Sequence, residues 1–148
     1  MDQNPEATLK RLLELGPAGE ANVDEICRIV FAPWVRRQGL RFLKIRPGRV
    51  SALLPQDPQQ QFFTGAMCGQ ALMSAVDTVM SVTMASRDRP SRGTISQSSR
   101  FLRPAIGDDL LIEAEVLRWG RHQSYGEARV RLAESGELVM HATAEFAF

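Results

Sequence analysis

Residues 66–86 read AMCGQALMSAVDTVMSVTMAS, and the interpretation of this stretch decides the architecture. Apolar and small residues occupy almost every helical position, which predicts a helix from about Cys68 to Ser86 that is buried on nearly every side. The segment is long enough to cross a membrane, but Gly69, Gln70, Asp77 and its many Ser and Thr residues argue for burial within protein. Asp77 is the only charged residue between Ala66 and Ser86. Taking a carboxylate out of water costs several kcal/mol unless it is paired, hydrogen-bonded or neutralised, so this position is a candidate for chemistry.

Upstream of the helix, Leu40 to Arg46 and Arg49 to Leu54 are short β-type runs joined by the turn dipeptide Pro47-Gly48, a hairpin candidate. The polar loop PQDPQQQ leads from there into Phe62-Phe63. Downstream, residues 94–103, 109–119, 124–133 and 138–148 alternate in polarity and are separated by Gly-bearing connections too short for parallel crossovers. Ile112, Ala114 and Val116 share one face, as do Ala128, Val130 and Leu132. The expected fold is therefore α+β, an antiparallel sheet of about six strands wrapped around one long helix.

Residues 1–39 follow a helical period instead. Leu9, Leu12 and Leu13 precede the breaker GPAG, and Val23, Ile26, Ile29 and Val30 resume the spacing. Asn22 is expected to cap the second helix with Glu25 three positions on, and Pro33 to end or bend it. The chain thus divides into a helical N-terminal extension, 1–39, and a main domain, 40–148.

Composition limits the function classes. With 148 residues and 44% hydrophobic content, the chain fits one globular domain. Eighteen basic and 17 acidic residues give a net charge of +1, so no bulk field draws it to nucleic acid or a membrane surface. The N-terminus lacks the basic-then-apolar order of a secretory signal, which leads to the expectation of a soluble cytoplasmic protein. Cys27 and Cys68 form no disulfide framework and no metal-ligand spacing, so reduced thiols are expected, with no metal or cofactor.

Gly65-x-x-Cys68-Gly69-x₇-Asp77 resembles the Gly-x-x-His-Gly-Gly-x₇-Asp pattern of phenylacetate-degradation-type hotdog-fold acyl-CoA thioesterases. Phe101-Leu102-Arg103-Pro104-Ala105 resembles that family's aromatic-x-x-Pro-Ala strand ending, and Gly107-Asp108-Asp109 its acidic turn. Three positions depart from the pattern: Cys68 replaces the family His, Gln70 its second Gly, and Phe62 a frequent Asn. The resemblance implies a hotdog domain hydrolysing acyl-CoA thioesters. Asp77 would be general base or nucleophile, the Gly69 amide the oxyanion donor and Thr94 the strand hydroxyl.

It further implies acyl-CoA as substrate and a homodimer, or a dimer-of-dimers tetramer, as the assembly. Phe62, Phe63, Met67, Leu72, Met73 and Trp34 are candidates to line the acyl site, with Cys68 and Gln70 beside them. Arg87, Arg89, Arg92, Arg103, Arg118 and Arg121 are candidates to meet the phosphates, Arg87 and Arg121 foremost among them. Helix geometry adds a constraint of its own. Cys68 and Asp77 would lie ~13 Å apart along the axis and on opposite faces, and the Gly69 to Asp77 separation fails for the same reason of axial distance. Two such groups meet at one carbonyl only if a second copy of the helix supplies one of them. A nucleophilic Cys68 is the competing assignment, with neither His122, expected in a turn, nor His141, expected on a sheet face, marked as its base. A non-catalytic module that binds acyl-CoA is the alternative function.

Overall fold

A computed structural model describes residues 4–148. The chain begins with three short helices, α1 (Pro5–Leu15), α2 (Val23–Val30) and α3 (Pro33–Arg36). The hairpin β1 (Arg41–Arg46) and β2 (Arg49–Leu54) follows, then the long helix α4 (Gly69–Met84). Four strands complete the fold: β3 (Gly93–Phe101), β4 (Leu110–Arg118), β5 (Gln123–Leu132) and β6 (Leu138–Ala147). All pair antiparallel in one sheet ordered β1-β2-β4-β5-β6-β3. This is the hotdog arrangement expected from the sequence.

The sheet buries one face against α4. Ala75, Val76, Val79 and Met80 from the helix meet Leu54, Ile112, Val130, Met140 and Phe146 from the strands, all essentially inaccessible. At about 1.5–3 kcal/mol for each large side chain removed from water, this layer supplies most of the drive to fold. The polar residues of the helix are absorbed locally: Thr78 and Thr83 donate their hydroxyls to the carbonyls of Ser74 and Val79, at 3.0 and 2.7 Å. Ser86 ties the helix end to the hairpin, accepting from the Gly48 amide at 2.9 Å and donating to the Thr83 carbonyl at 2.6 Å.

Three local expectations need correction. The long helix is not buried on nearly every side: ten of its sixteen residues are buried, while Gly69, Gln70, Met73, Ser74, Asp77 and Ser81 are not. Asn22 does not cap α2 with its side chain. It binds backward instead, accepting from the Gly19 amide and donating to the Leu15 and Pro17 carbonyls, and so clasps the GPAG turn. Pro33 neither ends nor bends α2, which stops at Val30; it opens α3 at the first helical position, where its missing N–H has no cost.

The N-terminal helices join the main core rather than standing off it. Ala18, Val23 and Ile26 are buried in the same apolar cluster, and the Ala18 amide donates to the Ala85 carbonyl at 2.8 Å.

The two sheet edges differ in chemistry. Edge strand β1 carries Arg41, Lys44 and Arg46, the charges that discourage strand addition. Edge strand β3, GTISQSSRF, has a single charge, and Ile95 and Phe101 on it are about half exposed.

Gly126 on β5 leaves room for the Met80 and Met84 side chains of α4. A Cβ there would strike Met80 Cε and come within 2.9 Å of the Glu115 carbonyl oxygen. Gly126→Ala is therefore expected to lower stability by about 1–3 kcal/mol through overpacking. Thermal unfolding followed by circular dichroism checks this, and an unchanged midpoint refutes it.

Candidate active site

Positions 69, 73, 77 and 81 stack on one face of α4, one helical turn apart. The strands from β2 to β6 leave this stripe open, and β3 lies along it. The Phe101 ring sits over Gly69, where an added Cβ would lie 3.2 Å from Phe101 Cζ. Gln97 Nε2 donates to the Met73 carbonyl at 3.3 Å. Thr94 Oγ1 donates to Asp77 Oδ1 at 2.6 Å. Strand and helix thus run side by side as a seam, with Asp77 half-buried in it.

Thr94 and Gln97 are three apart, yet both face the helix. A bulge between Thr94 and Ser96 accounts for this: Thr94 pairs with buried Phe146, Ser96 with Glu145, and Gln97 with buried Ala144. Strict alternation would have sent one of the two outward.

At the other end of the stripe, the chain enters α4 through Cys68, whose side chain makes no capping hydrogen bond. Among the described residues, the Gly69, Gln70 and Ala71 amides have no acceptor. These donors, together with the positive end of the helix dipole, are suited to a developing oxyanion. A groove of about 320 Å³ beside them includes Trp34, Cys68 and Gln70 in its lining. Buried Gln38 braces this end, donating to the Ala71 carbonyl and accepting from Ser74 Oγ. Gly69 and Asp77 are eight residues apart on one helix, so ~12 Å separates them along its axis.

The structure therefore brings Gly69, Met73, Asp77 and Thr94 to one seam and places Cys68, Gln70 and the half-exposed Phe62 at its start. It does not bring the rest there. Met67 is 3% exposed and packs into the core, offering no face to a ligand within the chain. Arg87 stacks on the Trp119 ring at 5.2 Å, and Arg89 donates to the Gly120 and Arg121 carbonyls. Arg87 and exposed Arg121 thus belong to the corner around Trp119, beyond the C-terminal end of α4. His141 lies on the outer sheet face with Nε2 3.0 Å from Glu127, and His122 is in an exposed bend. Neither partners Cys68. The sequence marks neither Gln97 nor Gln38, and it marks Phe101 only as the aromatic residue of a strand-ending motif. Gln97 Oε1 is buried without a hydrogen-bond partner among the described residues.

Residues 64–139 match the family model described as the thioesterase superfamily. Among solved structures, a conserved protein of Pseudomonas aeruginosa is similar at 27% identity and TM-score 0.72, covering 79% of this chain and 94% of that one. The Escherichia coli PaaI protein of the phenylacetic acid degradation operon is similar in fold at 16% identity and TM-score 0.77, covering 86% and 90%. A hypothetical thioesterase of Streptococcus pneumoniae, solved with coenzyme A, is similar in fold at 21% identity and TM-score 0.69, covering 74% and 86%. No curated protein matches the sequence. Among the described residues, no helix is long and apolar enough to cross a membrane.

Cys27 offers a control on thiol chemistry, because burial, with Asp24 nearby, pushes its thiol up to about 11. Its thiolate is scarce at pH 8. In Cys68→Ser, a disulfide reagent at pH 8 is expected to label Cys27 slowly when folded and fully after denaturation. Rapid labelling of the folded variant would contradict this.

Proposed function

The chain belongs to the thioesterase superfamily, and we propose that it hydrolyses acyl-coenzyme A thioesters to the free acid and coenzyme A, each site combining Asp77 of one subunit with the Gly69 amide of another. The observation that carries this reading is the Asp77 carboxylate, fixed by Thr94 at 2.6 Å on a seam whose far end presents free amides. Their ~12 Å separation prevents both from serving one carbonyl within a single chain.

The unprotected β3 edge supports pairing between two copies of the chain. Two copies of β3 paired antiparallel about Gln97 set Gly93 of one copy across from Phe101 of the other. Thr94 holds Asp77, and Phe101 lies on Gly69, so this pairing carries the amide-rich helix start of the second copy toward Asp77 of the first. Two equivalent sites follow from the two-fold symmetry. The exposed Ile95, Phe101 and Leu102 would be covered in the same step.

Asp77 then takes a proton from water as the water oxygen attacks the thioester carbonyl carbon. Alternatively, its carboxylate attacks directly and gives an anhydride, which water cleaves. In either path the tetrahedral oxyanion accepts the Gly69 N–H hydrogen bond, the C–S bond breaks, and the thiolate leaves to be protonated. Thr94 keeps the carboxylate aimed at the seam.

A thiol-release assay across acyl-CoA esters tests the assignment. Asp77→Asn is expected to lose on the order of 10²–10⁴-fold in kcat/KM, with Cys68→Ser within a few-fold of wild type. Wild-type protein that binds acyl-CoA but releases no thiol would be a binding module, and loss confined to Cys68→Ser would transfer the nucleophile to the cysteine.

Thr94→Val is expected to lower kcat roughly tenfold, matching the loss of a charge-assisted hydrogen bond of ~1.4 kcal/mol or more, with Thr94→Ser near wild type. Equal rates for Val and Ser would remove the hydroxyl from the mechanism. Sedimentation at assay concentrations should give a dimer or larger, and a fully active monomer would overturn the shared site.

A further inference from the structure

The stripe that carries Asp77 does not end there. Ser81, the next position on the same face, and Gly93, the neighbour of Thr94, both line a groove of about 280 Å³ that runs beneath the N-terminal helices. Val82 and Ala85 of α4 lie along one side of it, Leu12 and Leu13 of α1 and Ile26, Val30 and Phe31 at α2 along the others. The exposed charged residues Asp88, Arg89 and Arg92 also line it.

Two of these apolar side chains are far from buried: Leu13 is 61% exposed and Val30 50% exposed. Exposed on their own they would mean little, but here both line one concave, largely apolar groove, the form of a small-molecule site. The groove begins one helical turn, ~6 Å, beyond Asp77. At about 280 Å³ the groove is at the small end of ligand pockets, a size class suited to an apolar acyl chain rather than to a protein segment. Residues 12–31, which supply seven of the sixteen residues lining the groove, lie outside the family match at 64–139.

The geometry points to this groove as the acyl-group pocket, with the N-terminal helices, through Leu13 and Val30, setting the length of acyl chain accepted. The assignment rests on Asp77 being the reacting carboxylate. A thioester whose carbonyl sits at Asp77 has its acyl tail directed past Ser81 into the groove, where the tail covers the two exposed side chains. The substrate class is accordingly a coenzyme A ester of an unbranched, uncharged acyl group of medium length. A short acyl group leaves the groove unfilled and gains nothing from its walls.

Val30→Trp, at a half-exposed position, fills the pocket without entering the core. Wild type and Val30→Trp are compared on butanoyl-, octanoyl- and dodecanoyl-CoA by thiol release, and circular dichroism with sedimentation confirms fold and assembly. Wild type is expected to prefer octanoyl- over butanoyl-CoA. Val30→Trp should lower kcat/KM for octanoyl-CoA at least tenfold and leave butanoyl-CoA within about twofold. Leu13→Ala, which widens the pocket, should shift preference toward dodecanoyl-CoA. Equal effects of Val30→Trp at every chain length, or none at any, overturn the pocket, and the former is the result expected if a second copy of the chain covers the groove.

Calorimetric binding of the same esters separates this inference from the catalytic one. Protein that releases no thiol yet binds octanoyl-CoA more tightly than butanoyl-CoA, with the difference erased by Val30→Trp, retains the pocket and loses the mechanism. Chain-length-independent binding removes the pocket even where Asp77→Asn abolishes turnover.

Discussion

One sheet wrapped around one helix cannot cover that helix completely. The strands bury the face of α4 that carries Ala75, Val76, Val79 and Met80, and the sheet ends before it closes. The remaining stripe of the helix is left to edge strand β3. A carboxylate there escapes full desolvation while staying close to the core, and a single hydroxyl suffices to orient it. The same incompleteness leaves β3 with an open edge and half-exposed apolar side chains. Placement of the candidate carboxylate and exposure of the open edge thus share one geometric cause.

Much of this was legible in the sequence because it is local. Alternation identified the strands, Pro47-Gly48 the hairpin, and the uninterrupted apolar period the long helix. Which face of that helix stays open was not legible, because it depends on β3 ending up beside β6, the last strand of the chain, rather than beside any neighbour in sequence. The expectation of burial on nearly every side erred for that reason. Asp77 stood out as the lone charge of an apolar helix, Gly69 and Thr94 came from a motif resemblance, and the seam then linked Asp77 to Thr94 by a hydrogen bond. Gln97 stayed hidden because strict alternation places it on the face opposite Thr94, and only the bulge at Ile95 brings the two together. Asn22 had the right residue type and neighbours for a cap, but three backbone groups of the preceding turn competed for it and won.

The N-terminal helices change meaning once their packing is known. Read as an extension, they share the core through Ala18, Val23 and Ile26 and roof the far end of the α4 stripe. Their inner residues hold them down, while Leu13 and Val30 face the groove. Leu13 and Val30 line the groove without being buried in the core, so these two positions can vary with little cost to folding.

The bulge at Ile95 has a consequence for how such a chain evolves. One residue removed from or added to the start of β3 would rotate Thr94 by half a pleat and turn it away from Asp77, even if every other pairing survived. Length variation between α4 and β3 is therefore free to accumulate in the exposed stretch 87–92 but is barred from the three residues after it. Across descendants of this sequence, gaps should stop abruptly at Gly93.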